Sequence, residues 1–145
     1  MTFSTNHNYK NERHKLLHLA VLLEKYLHEQ ANDLTKKFNI TTQQFVAMRM
    51  IYATHPISQS VITIRDNMPD KMSDITRLIG RLEEDGYVKK VVNAEDKRVR
   101  EVSLTPAGFS LMKKMDEPYN EIYEFNQLSD EEVETINTII KKIIS

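Results

Sequence analysis

Between Lys71 and Gly108 the chain switches its hydrophobic period from helical to alternating and back again, in the run KMSDITRLIGRLEEDGYVKKVVNAEDKRVREVSLTPAG. Met72, Ile75, Ile79 and Leu82 recur at three- and four-residue spacing with Leu78 on their flank, which is one buried stripe of a helix. Ser73, Arg77, Gly80 and Arg81 fall on the opposite side, a face of small and basic residues. Gly86 suits the left-handed position that ends a helix. Tyr87-Val88 and Val91-Val92 then supply one strand, and Val102 and Leu104 alternate with Glu101 and Ser103 in a second. Residues 93–98 form the turn and tip between them. Thr105 followed by Pro106 starts a new helix, because the hydroxyl caps free N–H groups and proline costs nothing at the first helical position.

Helix, glycine stop, charged hairpin and helix start, in that order, describe the reading half of a winged helix-turn-helix. Its second helix enters the major groove of duplex DNA, and the hairpin beside it reaches along the backbone toward the minor groove. The segment resembles the MarR family of winged-helix transcription regulators. The residues that carry the resemblance are Thr76-Arg77-Leu78, Arg81-Leu82-Glu83, Gly86-Tyr87-Val88, Asp96-x-Arg98 and Leu104-Thr105-x-x-Gly108, with Thr42-x-Gln44-Phe45 upstream. It departs from the family at Val99, where many members carry a second acidic residue, and in the connector 67–71, which is longer than usual.

Each candidate DNA-binding residue carries an alternative. Arg77 has the donor fork for guanine N7 and O6; otherwise it contacts phosphate or pairs with Asp74 or Glu84. Ser73 and Thr76 reach a base or a phosphate, unless Ser73 caps the helix. Arg81 shares the outward basic face. Asp74, which phosphates repel, orients Arg77 or Arg81 or accepts from a cytosine amino group. Arg98 enters a narrow minor groove, or is a solvated loop arginine. Asp96 is read as a turn former and a partner of Arg98 or Arg100. Lys89, Lys90 and Lys97 are phosphate neighbours or simply exposed.

The net charge of −1 does not by itself point to a nucleic-acid partner, but its distribution is uneven. Residues 1–65 hold eight Lys/Arg against four Asp/Glu, residues 66–115 ten against nine, and residues 116–145 two against eight. The acidic end is therefore excluded from phosphate contact, and any positive face is built locally. The chain has no cysteine, which excludes disulfides, zinc–thiolate sites and thiol-based sensing. No apolar run approaches the roughly 20 residues of a membrane span. The N-terminus is polar, so we expect no signal peptide and a cytoplasmic location. Neither a Gly-rich phosphate loop nor a His-Glu metal motif occurs, so no enzyme activity and no cofactor are expected. His14 and His18 stand four apart without a third ligand.

The rest of the chain reads as helices. The first runs from about Tyr9 to Asp33 or further, with Leu16, Leu19, Leu23, Tyr26 and Leu27 as its main stripe and Leu17 and Val21 opposite, an apolar middle nearly all round. A second starts at the capping box Thr41-Thr42-Gln43-Gln44, and a third spans about Ser58 to Asn67. The fifth runs from Pro106 toward Phe125, with Pro118 expected to kink or interrupt it. Its Met and Tyr residues, with those of the second helix, form core or line an effector pocket. The sixth opens at Ser129-x-x-Glu132 and carries Val133, Ile136, Ile140, Ile143 and Ile144, a stripe that cannot persist alone in water and is expected to pack on the first helix.

The expected fold class is therefore mainly α with a small β-hairpin: one domain over 1–145, with a winged-helix region at about 41–105 and dimerisation helices at about 9–38 and 106–145. The resemblance implies a homodimeric repressor of transcription on a near-palindromic duplex DNA operator, relieved by a small-molecule effector. The alternative left open is a winged-helix module that binds protein and not DNA.

Overall fold

The computed structural model describes residues 7–69 and 74–145. Six helices and three short strands follow in the order α1 (Glu12–Lys37), α2 (Thr42–Thr54), β1 (Gln59–Ser60), α3 (Val61–Asn67), α4 (Ile75–Glu84), β2 (Val88–Val92), β3 (Arg100–Leu104), α5 (Pro106–Tyr123) and α6 (Asp130–Ile144). Met72 and Ser73, read above as the start of the recognition helix, lie outside the described residues.

Capping chemistry sets most of the helix starts. Asn11 accepts the His14 N–H at the head of α1, and Thr105 accepts the Gly108 N–H at the head of α5. Thr41 with Gln44 and Ser129 with Glu132 form the two expected capping boxes, each satisfying donors in both directions. α1 continues a turn beyond Asp33, where Ala31, Leu34 and Thr35 are its buried residues, and Lys36 and Lys37 then face its negative end. α5 runs through Pro118 without a break to Tyr123. The proline costs it one ladder donor, and the expected interruption does not occur.

The sheet holds three strands and not two. Its order is β1-β3-β2, with Gln59 opposite Val102 and Ser60 opposite Glu101. Correspondingly α3 begins at Val61, later than the sequence suggested, with Ser60 as its cap. In the hairpin Val88 faces Leu104 and Lys90 faces Val102, which fixes the register the imperfect alternation of β2 left open.

The core lies between α2, α3, α4, the inner face of the sheet and the first half of α5. Phe45, Met48, Ile51, Ile64, Ile79, Leu82, Val88, Val102, Met112 and Met115 are its fully buried members. At about 1.5–3 kcal/mol for each large apolar side chain, this cluster is what holds the winged-helix body together within one chain. α6 has no buried residue at all, and the first half of α1 leaves Leu16, Leu17 and Val21 more than half exposed. Within one chain, α6 therefore does not bury its isoleucines on α1 as the sequence suggested. Among the described residues, no helix is long and apolar enough to cross a membrane.

Candidate nucleic-acid interface

α4 is built to hold one face in the core and offer the other. Ile75, Leu78, Ile79 and Leu82 are buried, while Thr76, Arg77 and Arg81 are exposed. Asp74, not Ser73, is the described cap: its carboxylate accepts the Arg77 backbone N–H at 3.2 Å. Asp74 thus has a structural task, satisfying a free donor and facing the positive helix end. At the other end, Gly86 adopts φ 80. Its N–H donates to the Glu83 carbonyl and the Tyr87 N–H to the Leu82 carbonyl, at 3.0 and 2.9 Å. That double closure fixes the angle at which the chain leaves α4 for the wing.

The wing is ordered by side-chain acceptors rather than by glycine. Asn93 Oδ1 accepts from the backbone N–H groups of Glu95 and Asp96, at 2.8 and 2.9 Å. Asp96 Oδ1 accepts the Arg98 N–H at 2.9 Å. Asp96 is thus the turn former the sequence suggested, and it meets Arg98 through the backbone. At the base of the wing, Glu101 accepts from the Ser58 hydroxyl at 2.6 Å and the Asn93 amide at 2.7 Å, tying β3 both to the residue before β1 and to the tip. These two bonds, Ser58 first, hold the Glu101 carboxyl below its ordinary range.

Around this frame Thr76, Arg77, Arg81, Lys89, Lys97 and Arg98 are all exposed. Among the described residues, Arg77, Arg81, Lys89, Lys97, Arg98 and Arg100 form no ion pair. Arg77 pairs with neither Asp74 nor Glu84. Lys90 differs: its ammonium lies 2.8 Å from Glu83, so it braces the wing against α4. Both partners are exposed, and such a pair is worth little on its own.

Two residues that sequence reasoning passed over join the site. Arg65 of α3 and Arg100 of β3 line, with Thr76 and Arg98, a hollow of about 190 Å³ between α3, the head of α4 and the wing. The sequence does carry a faint signal for them. Arg98 and Arg100 stand two apart at the strand's start, and Val61 and Arg65 stand one helical turn apart in α3.

The other candidate sites fare differently. Met48, Met112 and Met115 are fully buried and belong to the core. Arg49 links α2 to α5, pairing with Asp116 at 3.1 Å and lying 4.2 Å over the Tyr119 ring. Tyr119 packs on Tyr123, whose phenol is pushed up to about 12, first by burial and then by Tyr119. A hollow of about 410 Å³ lies between the second half of α1 and the end of α5, lined by Tyr26, Leu34, Pro118, Ile122 and Phe125 among others. The His18 ring stacks on His7 with centroids 4.9 Å apart, yet among the described residues no group of His, Asp or Glu could hold a metal.

Comparison with known proteins points the same way as this geometry. Residues 40–99 match the model of the MarR family. The transcriptional regulator PrsX of Escherichia coli is 23% identical over 141 residues, covering 94% of this chain and 84% of its own length. The transcriptional repressor IacR of Pseudomonas putida is 29% identical over 86 residues, 58% of this chain and 52% of its own. The structure of the S. aureus MepR–DNA complex superposes with a TM-score of 0.77 at 22% identity, over 88% of this chain and 94% of that one.

Proposed function

We propose that this chain, whose residues 40–99 match the MarR family model, is a winged helix-turn-helix transcription regulator of that family, that it works as a homodimeric repressor in the cytoplasm, and that it reads a near-palindromic duplex operator. In this reading α4 lies in the major groove, with Arg77 at a base and Thr76 and Arg81 beside it. Ser73, which precedes α4 in sequence, is assigned a base or phosphate contact with them. The wing lies along the backbone, with Lys89, Lys90 and Lys97 near phosphates and Arg98 in the minor groove. Residues 41–105 carry the DNA-binding work, and 9–38 and 106–145 carry dimerisation.

The observation that carries the proposal is the set of uncommitted cations on α4 and the wing. Arg77, Arg81, Lys89, Lys97 and Arg98 gather on α4 and the wing, and this chain has 21 Asp and Glu. Five of the proposed contacts nonetheless stand unpaired among the described residues, on two elements that pack against each other. A surface of that kind suits polyanionic phosphate. MepR, which shares the fold, is found in complex with DNA, and IacR is named a repressor. The bare leucines of α1 and isoleucines of α6 support a dimer, since apolar surface of that extent is seldom left in water. An effector in the hollow between α1 and α5 would relieve repression if it bound one spacing of the two reading heads better than the other.

The test is a binding titration of the purified chain against a randomised duplex library at 50 and 200 mM salt. We expect enrichment of a two-fold symmetric sequence and an affinity that falls steeply with salt, because neutralised phosphates release counterions. Absence of salt-dependent duplex binding would leave a protein-interaction module as the better reading.

A further inference from the structure

Arg65 and Arg100 come from elements far apart in sequence and converge on one hollow, together with the Thr76 side chain. We infer that this hollow seats a single backbone phosphate of bound DNA, gripped by Arg65 from α3 and Arg100 from β3, and that it sets the register of α4 in the groove. The inference rests on the DNA-binding reading above and adds to it two arginines, Arg65 and Arg100, that lie outside the recognition helix and the wing tip.

The chemistry of the lining supports a phosphate. Two guanidinium forks can each donate paired N–H groups to phosphate oxygens, a geometry that lysine cannot reproduce. A threonine hydroxyl supplies a further donor. Arg98 lines the wing side as a third guanidinium, and Val61, Ile62 and Ile75 form the rest of the wall, so the charges face a partly apolar surface that strengthens their hold on an anion. A hollow of about 190 Å³ has room for a phosphate group.

The arginines are also available. Arg100 forms no ion pair among the described residues. Arg65 lies 3.0 Å from Asp66, its neighbour in sequence, but both side chains are more than half exposed. A pair of that kind contributes little and yields readily to a stronger anion. The hollow adjoins a second one, lined by Val61, Thr76, Ile79, Lys90 and Arg100, so positive charge extends from α3 along the back of α4 to β2. A phosphate held at the junction of α3, α4 and β3 would touch all three elements whose relative placement decides where Arg77 points. Contacts of this kind position the reader without reading sequence.

The experiment compares Arg65→Gln, Arg100→Gln and the double variant with the wild-type chain, on a duplex that the wild type selects from a random library. Lys114→Gln on α5 serves as a control for loss of one charge. The readouts are the slope of log affinity against log salt and the selected sequence. One phosphate accounts for a slope of about 0.9. If the two arginines share one phosphate, the double variant loses about 0.9 per half-site and no more, its loss in affinity is smaller than the sum of the single losses, and the selected sequence is unchanged. Additive losses with a slope change of about 1.8 per half-site would show two separate phosphates and overturn the shared seat. A changed base preference, or slopes equal to those of wild type, would overturn it as well. Slopes equal to wild type together with a rise in Tm on adding inorganic phosphate, lost in the double variant, would assign the hollow to a free anion instead. Failure of the wild-type chain to bind duplex DNA in a salt-dependent way would strike the DNA-binding reading itself, a result distinct from full binding retained by the variants.

Discussion

The carbonyl oxygen of Tyr87 occupies the space that a side chain on Gly108 would need. The same oxygen accepts the Thr105 N–H at 3.0 Å, and the Thr105 hydroxyl donates to the Gly86 carbonyl at 2.6 Å. The first turn of α5 is thereby locked onto the exit of α4, where the chain enters the wing. The Gly86-Tyr87 and Leu104-Thr105-x-x-Gly108 residues, separate in sequence, form one junction. Gly108→Ala should force that junction apart. Overpacking of this kind costs roughly 1–3 kcal/mol, which urea denaturation of the variant beside the wild type would measure. A variant as stable as the wild type would mean that α5 can shift away at no cost.

Glu101 makes the wing sensitive to acid. Its folded carboxyl lies below the ordinary value of 4.5 because the Ser58 hydroxyl and then the Asn93 amide donate to the charged form. A lowered folded value means that the contribution is fully present above the unfolded value and is lost as pH falls through the folded one. Since the carboxylate is open to solvent, the effect belongs to the local order of the wing and not to global stability. We expect the Asn93 side-chain amide signals in NMR to move toward free-amide positions as pH falls below the ordinary carboxylate value of 4.5. Glu101→Gln should abolish that titration. Matching pH curves for the two proteins would place the titrating group elsewhere.

The exposed apolar faces of α1 and α6 predict the oligomeric state. Ile140 and Ile143 are 45% and 65% exposed in one chain, and Leu19 and Leu23 of α1 are 39% and 47% exposed. Sedimentation of the full chain at micromolar concentration should give a dimer. Ile140→Lys with Ile143→Lys should shift it to monomer while the helical signal of the winged-helix body persists, because neither residue enters that core. A wild-type chain that sediments as a stable monomer would sink the proposal.

How far the sequence could be read depends on where each signal is encoded. Thr41, Ser129 and Thr105 announce their helices because a cap is a local matter of three or four residues. The α4 stripe and its Schellman closure at Gly86 are likewise local and legible. β1 was missed because Gln59-Ser60 is two residues long, too short for any alternation, and becomes a strand only by pairing with β3. Asp74 as the cap of α4 was not legible, because a cap is recognised only once the first residue of its helix is known. Arg65 and Arg100 were invisible as a pair for a different reason. They stand 35 positions apart, and only the packing of α3 beside β3 brings them to one hollow. The sequence offers Lys90 as a phosphate neighbour or a simply exposed lysine, and nothing in it shows that Glu83 reaches across from α4.

The recognition helix and the wing tip should fail in different ways when their arginines are removed. Arg77 lies on the exposed face of α4, opposite the buried Ile75, Ile79 and Leu82, and forms no ion pair among the described residues. If it donates to a guanine edge, Arg77→Ala should cost roughly 1–3 kcal/mol per half-site and relax preference at one symmetric position. Arg98 follows the Asn93–Asp96 turn, whose backbone bonds hold it at the tip without involving its guanidinium. A minor-groove contact there senses groove width more than base identity. Arg98→Ala should therefore weaken binding most on operators with A·T-rich flanks and leave the central preference intact. Both side chains are exposed, so both variants should keep the wild-type Tm within a degree or so, on the scale expected of surface changes below about 0.5 kcal/mol. Selection of each variant against a randomised operator library measures all of this at once. Equal losses on every sequence would reduce both arginines to phosphate contacts, and unchanged binding by both would remove α4 and the wing from the interface.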